Sequence, residues 1–235
     1  MAIEDFDVLS LAAFLHLKPE QVRKMAERDK LPGRRVGGKW RFSRPEIHQW
    51  FEERIGASDV QELDEVEKVL QRNRVDTDEA FHIPELLAID NIYIPFLART
   101  KSSVIKQICD LTAQTGRLWE PDKMAEALRN REELHPTALG NGVALLHPRR
   151  PIPSIMGEPF LALGVTTSGI PFGGPRGCLT DIFFLIGSTD ESLHLRVLAR
   201  ISRLLQQPDF LDNIRAAESP DSAWQTIEDL DKTLD

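Results

Sequence analysis

One histidine in the sequence is surrounded by residues that can bind an anion. The stretch TALGNGVALLHPRRP spans residues 137–151 and consists of a glycine-rich loop, a short apolar run, a histidine and two arginines. A free imidazole has a pKa of about 6.5, so at neutral pH much of it is uncharged and nucleophilic toward a phosphoryl group. Glycine-rich backbone can surround an anion with N–H groups, and guanidinium groups bind phosphate oxygens. The residues that would form such an anion site are Gly140, Asn141, Gly142, His147, Arg149 and Arg150, with Arg131 shortly before them.

The residue pattern alone leaves a second interpretation open. A single histidine at the end of a strand is more often a structural residue with its hydrogen bonds satisfied than a nucleophile. The other histidines, His16, His48, His82 and His135, have no comparable set of neighbours, and we expect them to be structural. Composition and spacing therefore select His147 as the candidate without deciding its role.

A second group of chemically informative residues lies near the N-terminus. The chain has a net charge of −8, yet residues 18–44 contain ten Lys/Arg and only three Asp/Glu. A basic segment within an acidic chain predicts a localised anion-binding surface. Its candidate contact residues are Arg23, Lys24, Arg28, Arg34, Arg35, Lys39 and Arg41.

The elements that would position these cations follow from the hydrophobic pattern of residues 1–56. Apolar residues at helical spacing predict one helix from about Val8 and a second that starts at Pro19. Two short β-type runs around Gly37 and Gly38 predict a hairpin, and Ser43 begins a capping box for a third helix. Helix, turn, helix and basic hairpin form a winged DNA-binding layout, in which a helix enters the major groove and the hairpin contacts phosphates.

The stretch VLSLAAFLHLKPEQVRKMAERDKLPGRRVGGKWRFSRPEIHQWF resembles the excisionase-type winged helix-turn-helix family, which is related to the mercury-resistance regulators. The segment LPGRRVGGKWRFSRPEIHQWF carries most of the likeness. Lys18 departs from the family, which usually has a small capping hydroxyl at this position. The resemblance implies that residues 1–56 bind DNA.

Residues 57–80 are polar and acidic, with eight Asp/Glu and three Lys/Arg. Leu63, Val66 and Leu70 recur at helical spacing within them. We interpret the segment as a solvated linker that is partly helical. It is either a simple spacer or a short dimerising coiled coil, which would make the protein a homodimer.

Residues 81–235 alternate helical and strand-like patterns, which predicts one α/β domain. Helices are predicted around Val104–Leu111, from Pro121 to Arg131 and from Glu191 to Gln206, with terminal helices after Pro208 and Pro220. Strands are predicted at Val143–His147, Phe160–Thr167 and Leu179–Gly187. The fold class is therefore α/β, a mixed sheet flanked by helices, preceded by a small winged helix-turn-helix domain.

The segment REELHPTALGNGVALLHPRRP resembles the active-site segment of enzyme IIA domains of the bacterial phosphoenolpyruvate:sugar phosphotransferase system, of the fructose/mannitol and nitrogen-regulatory type. The likeness continues through LTDIFFLIGSTDESLHLRVLARISRLL and covers about residues 84–232. It implies that His147 is the phosphoacceptor, that Arg131 helps to hold the phosphoryl group, and that His194 is the second active-site histidine. The family usually has Pro-His-Gly, where this chain has Leu146-His147-Pro148.

The orientation of His194 is open from the sequence. It shares a helical face with Val197, Leu198 and Ile201, so it points inward. It is either a core histidine or a hydrogen-bond donor that orients His147.

These observations imply a cytoplasmic regulatory protein that couples DNA binding to phosphorylation of an enzyme IIA-like domain. Its phosphoryl donor would be the histidine phosphocarrier protein, and it would act as a phosphoryl carrier rather than as a turnover enzyme. The alternatives are a phosphocarrier that does not bind DNA and an enzyme IIA-like binding module that is not phosphorylated. No metal-ligand spacing, P-loop or dinucleotide fingerprint is present in the sequence, so we expect no metal and no cofactor. No apolar run is long enough to span a membrane, and the two cysteines fit a reducing compartment.

Overall fold

The structure of the chain is a computed structural model that describes residues 5–15, 17–47, 49–50 and 82–234. The chain divides into two compact units, Met1–Glu79 and Ala80–Asp235. Several residues used as sequence predictions lie outside the described ranges, namely His16, His48, Leu63, Val66 and Leu70. The division into 1–56, 57–80 and 81–235 stays a prediction.

The N-terminal unit begins with the two predicted helices. Helix α1 spans Val8–Phe14, and the Asp7 carboxylate caps it by accepting a hydrogen bond from Ser10 N at 2.8 Å. Helix α2 spans Pro19–Glu27 and has Pro19 at its first position, as predicted. The helices pack through buried apolar side chains, which include Leu11, Ala12, Val22 and Ala26.

Local contacts and backbone geometry determine where α2 begins and ends. Lys18 precedes the helix and makes no side-chain cap, but its backbone N–H donates to Gln21 Oε1 at 2.9 Å. This bond satisfies the backbone N–H of the N-cap residue, which is the half of a capping box that the third helical side chain supplies. Arg28 is the C-cap residue at the other end of α2. The chain turns there because Asp29 adopts a left-handed φ of 53°.

The predicted wing is a two-stranded hairpin. Strands β1 (Arg34–Val36) and β2 (Lys39–Arg41) pair antiparallel, with Arg35 level with Trp40. Gly37 and Gly38 have φ values of 58° and 77°, which suit a tight turn between twisted strands. Residues 44–47 and 49–50 are helical, and Ile47 is buried.

A four-stranded mixed sheet forms the centre of the C-terminal unit. Its strands are β3 (Ile92–Tyr93), β4 (Val143–Leu146), β5 (Phe160–Ile170) and β6 (Thr180–Gly187). The order across the sheet is β3-β5-β6-β4. β4 is parallel to β6 and β3 is parallel to β5, whereas β5 is antiparallel to β6.

Helices cover both faces of this sheet. Their bounds are Lys101–Gln114 (α3), Pro121–Leu134 (α4), Glu191–Leu205 (α5), Phe210–Ala216 (α6) and Pro220–Asp231 (α7). α3 and α4 share a core with one set of alternating strand residues, which includes Ala144, Leu146, Phe183 and Leu185. The other set, which includes Val143, Leu145, Ile182 and Phe184, is also buried. These residues point to the face of the sheet opposite α3 and α4. Helix α5 packs against β6.

A buried carboxylate joins the beginning and the end of the C-terminal unit. Asp231 is fully buried, and its Oδ1 accepts a hydrogen bond from Arg200 Nε at 2.7 Å. Its other oxygen lies 3.0 Å from His82 Nδ1 and accepts from Ile83 N at 3.2 Å. Arg200 Nη2 also donates to Asp231 O at 2.6 Å. This cluster fixes α5, which carries Arg200, against both ends of the unit.

Most of the predicted elements are confirmed, and the differences occur at element ends. α4 continues three residues past the predicted end at Arg131, because the next residue that disfavours a helix is Pro136. His135 is accordingly extended, with a φ of −160°. β5 continues past Thr167 to Ile170 through an irregularity in its pairing. The short edge strand β3 was not predicted.

Asp231→Ala should lower the free energy of unfolding by about 3–5 kcal/mol, since it leaves the buried Arg200 guanidinium without its carboxylate. Asp229→Ala is the matched control on the same helix, because Asp229 is exposed. Its effect should stay within about 0.5 kcal/mol. Urea unfolding followed by circular dichroism measures both variants. Equal midpoints for the two would contradict the role assigned to Asp231.

Candidate functional site

Two histidines from different elements meet at one edge of the larger sheet. β4 and β6 are parallel, with Leu146 level with Leu185, so both strands end at this edge. His147 directly follows β4, and α5 carries His194 close to its first turn. Both histidines are 4% exposed, and their ring centroids lie 4.8 Å apart. His194 is therefore buried with its ring against that of His147, and its role as a hydrogen-bond donor to His147 stays a prediction.

The hydrogen bond of His147 determines which ring nitrogen is available for chemistry. Nδ1 lies 2.8 Å from the Leu145 carbonyl oxygen. Since a carbonyl only accepts hydrogen bonds, we assign the ring proton to Nδ1. The lone pair is then on Nε2, which is the nucleophilic nitrogen in this tautomer.

The end of α4 places Arg131 at the same edge. The segment after α4 runs antiparallel to β4, with Ala138 bridged to Ala144. Continuing this register puts His135 opposite His147. Arg131 is 8% exposed, and its Nη1 donates to His135 O at 2.6 Å. The guanidinium thus lies beside the segment that faces the histidine pair.

A buried carboxylate next to Arg131 holds this segment in place. Glu132 is 3% exposed, and its Oε1 accepts hydrogen bonds from both the backbone N–H, at 3.0 Å, and the hydroxyl of Thr137. Its Oε2 lies 2.9 Å from Lys101 Nζ, which also donates to Phe172 O at 3.2 Å. Glu132 therefore links α3 and α4 to the strand that enters the site.

Glu132 does not stand out in the sequence. A glutamate in the last turn of a helix is usually solvated, so its residue type gave no signal. Its position did give one, because Glu132 follows Ala125 and Leu128 on the apolar face of α4.

The glycine-rich loop lies at the other end of β4. An extended strand rises about 3.3 Å per residue, so Gly142 lies about 16 Å from His147 along the chain. The loop forms the turn between the antiparallel segment and β4, with Leu139 N donating to Val143 O at 2.7 Å. The structure therefore does not bring Gly140, Asn141 and Gly142 to the histidine pair.

An arginine from α6 binds this loop through a carbonyl oxygen. Arg215 Nη2 donates to Asn141 O at 2.8 Å, and Arg215 Nε donates to Asp181 Oδ2 at 2.8 Å. Donating a hydrogen bond to the Asp181 carboxylate raises the pKa of Arg215 above its usual value. Gly142 O accepts from Asp181 N at 2.9 Å. The physical role of the loop here is to start β4 beside β6.

The residues after His147 differ in exposure. Pro148 is buried, whereas Arg149 and Arg150 are exposed. The two arginines provide positive charge at the surface next to the site. Arg149 therefore lies close to the candidate acceptor in sequence, while its side chain faces solvent.

The cations predicted to contact DNA lie on the surface of the N-terminal unit. Those that are exposed are Arg23, Lys24, Arg28, Arg34, Arg35 and Lys39, and Arg41 is half-buried. Arg34 Nη2 lies 2.9 Å from Asp5 Oδ2, which offsets part of its charge. The Arg35 guanidinium carbon lies 5.1 Å from the Trp40 ring centroid, so the ring orients this side chain.

The described part of the chain also bears on metal binding and on membrane insertion. No three His, Cys, Asp or Glu side chains there form a group that could bind a metal ion. None of the helices in the same part is long and apolar enough to cross a bilayer. Cys109 is fully buried, and burial raises the pKa of its thiol to about 12, which keeps it protonated.

Comparison with known families covers both units. Residues 85–230 match the family described as phosphoenolpyruvate-dependent sugar phosphotransferase system, EIIA 2. Residues 10–55 match a helix-turn-helix domain.

Individual relatives are similar to the C-terminal unit. The chain is 28% identical over 152 residues to the PTS system fructose-specific EIIABC component of Bacillus subtilis, a match that covers 64% of this chain but 24% of that protein. It is 28% identical over 135 residues to the nitrogen regulatory protein of Pseudomonas aeruginosa, covering 56% of this chain and 84% of the relative. The fold is similar to the crystal structure of nitrogen regulatory protein IIA-Ntr from Neisseria meningitidis, with a TM-score of 0.55, 20% identity and coverage of 62% and 98% of the two chains.

The loop offers a test of its structural role. Gly142 has a φ of +88°, and a Cβ added there would lie 2.6 Å from Arg215 Nη2. Gly142→Ala should therefore lower the free energy of unfolding by about 1–3 kcal/mol. A Cβ at Gly140 would meet nothing within 4 Å, so Gly140→Ala should change stability by less than about 0.5 kcal/mol. Chemical denaturation measures the free energy of unfolding of both variants. Equal losses of stability would contradict the close packing of Arg215 against Gly142.

Proposed function

The chain belongs to the EIIA 2 family of the phosphoenolpyruvate-dependent sugar phosphotransferase system, and we propose that it carries a phosphoryl group on His147 and binds DNA through its N-terminal unit. The observation that supports the first part most strongly is the contact between the buried rings of His147 and His194 at 4.8 Å. The helix-turn-helix match supports the second part.

The phosphoryl step starts from the Nδ1-protonated form of His147. The Nε2 lone pair attacks the phosphorus of a phosphohistidine on the donor, a new N–P bond forms, and the donor N–P bond breaks. The His147 ring then holds both the phosphoryl group and the Nδ1 proton, so it becomes cationic. The Leu145 carbonyl, 2.8 Å from Nδ1, stabilises that charge through a stronger hydrogen bond.

Two side chains are placed to assist this step. Arg131 has five N–H donors, of which Nη1 supplies one to His135 O, and its positive charge offsets that of the incoming phosphoryl group. His194 packs against the His147 ring and restricts its rotation, which keeps Nε2 in a fixed direction. Glu132 positions Arg131 indirectly by fixing Thr137.

The donor is proposed to be the histidine phosphocarrier protein of the same phosphotransferase system. The exposed Arg149 and Arg150 next to the acceptor provide positive charge for docking. On this basis the protein is a phosphoryl carrier, and the acceptance of the group on His147 is its central reaction.

The DNA-binding part uses the helix and the wing of the N-terminal unit. α2 presents Arg23 and Lys24 on its exposed side, where they can reach base edges in the major groove. The wing presents Arg35 and Lys39, which are suited to phosphate contacts. Phosphorylation of His147 would then regulate DNA binding, which makes the protein a transcription regulator.

Two measurements separate this regulator from its alternatives. A phosphocarrier that does not bind DNA takes label on His147 and shows no salt-dependent affinity for duplex DNA. A binding module that is not phosphorylated shows DNA affinity and takes no label. The regulator shows both activities, and its affinity for DNA differs between the phosphorylated and unphosphorylated forms at fixed salt.

His147→Ala should abolish acid-labile labelling by phosphoenolpyruvate, enzyme I and the histidine phosphocarrier protein, because it removes the nucleophile. His135→Ala is the matched control, since His135 is exposed on the neighbouring segment. It should retain labelling within about twofold. Phosphosite mass spectrometry at neutral pH identifies the acceptor. Undiminished labelling of the His147 variant would refute the assignment.

Lys39→Ala should weaken binding to all duplex DNA sequences to a similar degree. It should also reduce the slope of log K against log salt by about 0.9, the value for one lost phosphate contact. Lys123→Ala, an exposed lysine on α4, is the control and should leave the slope unchanged. Fluorescence anisotropy over a range of salt concentrations measures both. Identical slopes for the two variants would count against a DNA-contacting wing.

A further inference from the structure

Ser188 has a buried hydroxyl for which the fold supplies no evident partner. It is 2% exposed and directly follows β6. Within the described ranges, its Oγ is inaccessible to solvent and makes no hydrogen bond. Burying a hydroxyl without a hydrogen bond costs about 1–3 kcal/mol, so such a group needs a physical explanation. A ligand that accepts a hydrogen bond is one such explanation.

The register of the sheet places this hydroxyl on the same side as the acceptor histidine. Leu145 is level with Phe184 in the parallel pair β4 and β6, so their side chains share a face. Two residues further along each strand lie His147 and Ile186. Ser188 is the next residue in the same alternation, and it therefore lies on the face that His147 shares with α5.

The residue after the acceptor explains why an extra donor is needed. Pro148 has no backbone N–H, so the main chain immediately after His147 cannot donate to a phosphoryl oxygen. Pro148 is also buried, so solvent is restricted at this position. A phosphoryl group on His147 thus has one fewer main-chain donor than it would have with any other residue at 148.

The beginning of α5 brings both a positive helix end and two carboxylates to the same location. α5 has 15 residues, and the N-terminus of a helix carries a partial positive charge. The Asp190 carboxylate caps this end by accepting from Leu193 N at 2.9 Å, and Glu191 also lies there. Their negative charges oppose binding of a phosphoryl group, so a neutral hydroxyl donor adds binding that the helix end alone does not supply.

We propose that Ser188 Oγ donates a hydrogen bond to the phosphoryl group on His147 Nε2 and replaces the backbone donor that Pro148 lacks. This proposal rests on the proposed phosphoryl-carrier function. Ser188 forms no bond to phosphorus, and its proton stays on Oγ throughout. Its effect is to stabilise the negative charge on the phosphoryl oxygens during and after transfer.

The test uses the full-length protein and phosphoramidate, a small phosphoryl donor that needs no protein docking. Ser188→Ala should lower the rate constant for labelling of His147 by at least about tenfold, the loss expected for one hydrogen bond to a charged group. Ser188→Thr keeps the hydroxyl and should stay within about threefold of the wild type. Pro148→Gly in the Ser188→Ala background should restore most of the lost rate, because it supplies a backbone N–H at residue 148.

Two controls separate this role from a structural one. Ser202→Ala removes another buried hydroxyl, eight residues beyond His194 on α5 and about 12 Å along the helix, and should leave labelling unchanged. Ser188→Ala should unfold at the same urea concentration as the wild type or higher, since the lost hydroxyl has no protein partner. Recovery of the labelling rate by Pro148→Gly would come from the new backbone N–H donor at residue 148 and not from a change in protein stability.

The outcomes distinguish the two levels of the proposal. If the wild type is labelled and Ser188→Ala is labelled at the same rate, Ser188 is not a donor and only this inference fails. If Pro148→Gly does not raise the rate of Ser188→Ala, the replacement of the backbone donor is refuted. If the wild type itself takes no label on His147, the phosphoryl-carrier function fails and the role of Ser188 fails with it.

Discussion

The parallel pairing of β4 with β6 is the constraint on which the arrangement of the C-terminal unit depends. Because both strands end at one edge of the sheet, whatever follows each of them meets there. His147 follows β4, and α5 with His194 follows β6, so residues 47 positions apart in the chain come into ring contact. The antiparallel strand β5 lies on the other side of β6 and buries its second edge. Glu132 and Asp231 then fix the helices around this edge through buried hydrogen bonds.

Much of the fold could be predicted from the sequence because its signals are local. Helical spacing and Pro19 predicted element positions that the structure confirms. The edge strand β3 could not be predicted, since two residues contain no period and its pairing partner lies about 70 positions further along the chain. The end of α4 was predicted too early because amphipathic spacing weakens near Arg131, whereas the actual stop is the proline at 136.

The candidate site was predicted only in part, because strand pairing between distant parts of the chain brings its residues together. The residue pattern selected His147, the resemblance gave His194 and Arg131 their expected roles, and the structure brings the three residues to one edge. The glycine-rich loop is adjacent to His147 in sequence, but extended β4 separates the two. Glu132 was missed because its burial depends on Lys101 and Thr137, and residue type gives no indication of such pairing. Tertiary contacts of this kind become visible only once the strands are paired.

The hydrogen bond between His82 and Asp231 also has a consequence for modularity. Residues separated by 149 positions lie 3.0 Å apart, so the main chain enters and leaves the C-terminal unit at nearly the same point. A unit whose two ends are adjacent can be joined to other protein segments, or inserted into a surface loop, with little change to its core. The buried carboxylate that holds α5 therefore also keeps the two ends of this unit close together. The unit can be fused to other protein segments, in evolution or by engineering, while its histidine pair stays intact.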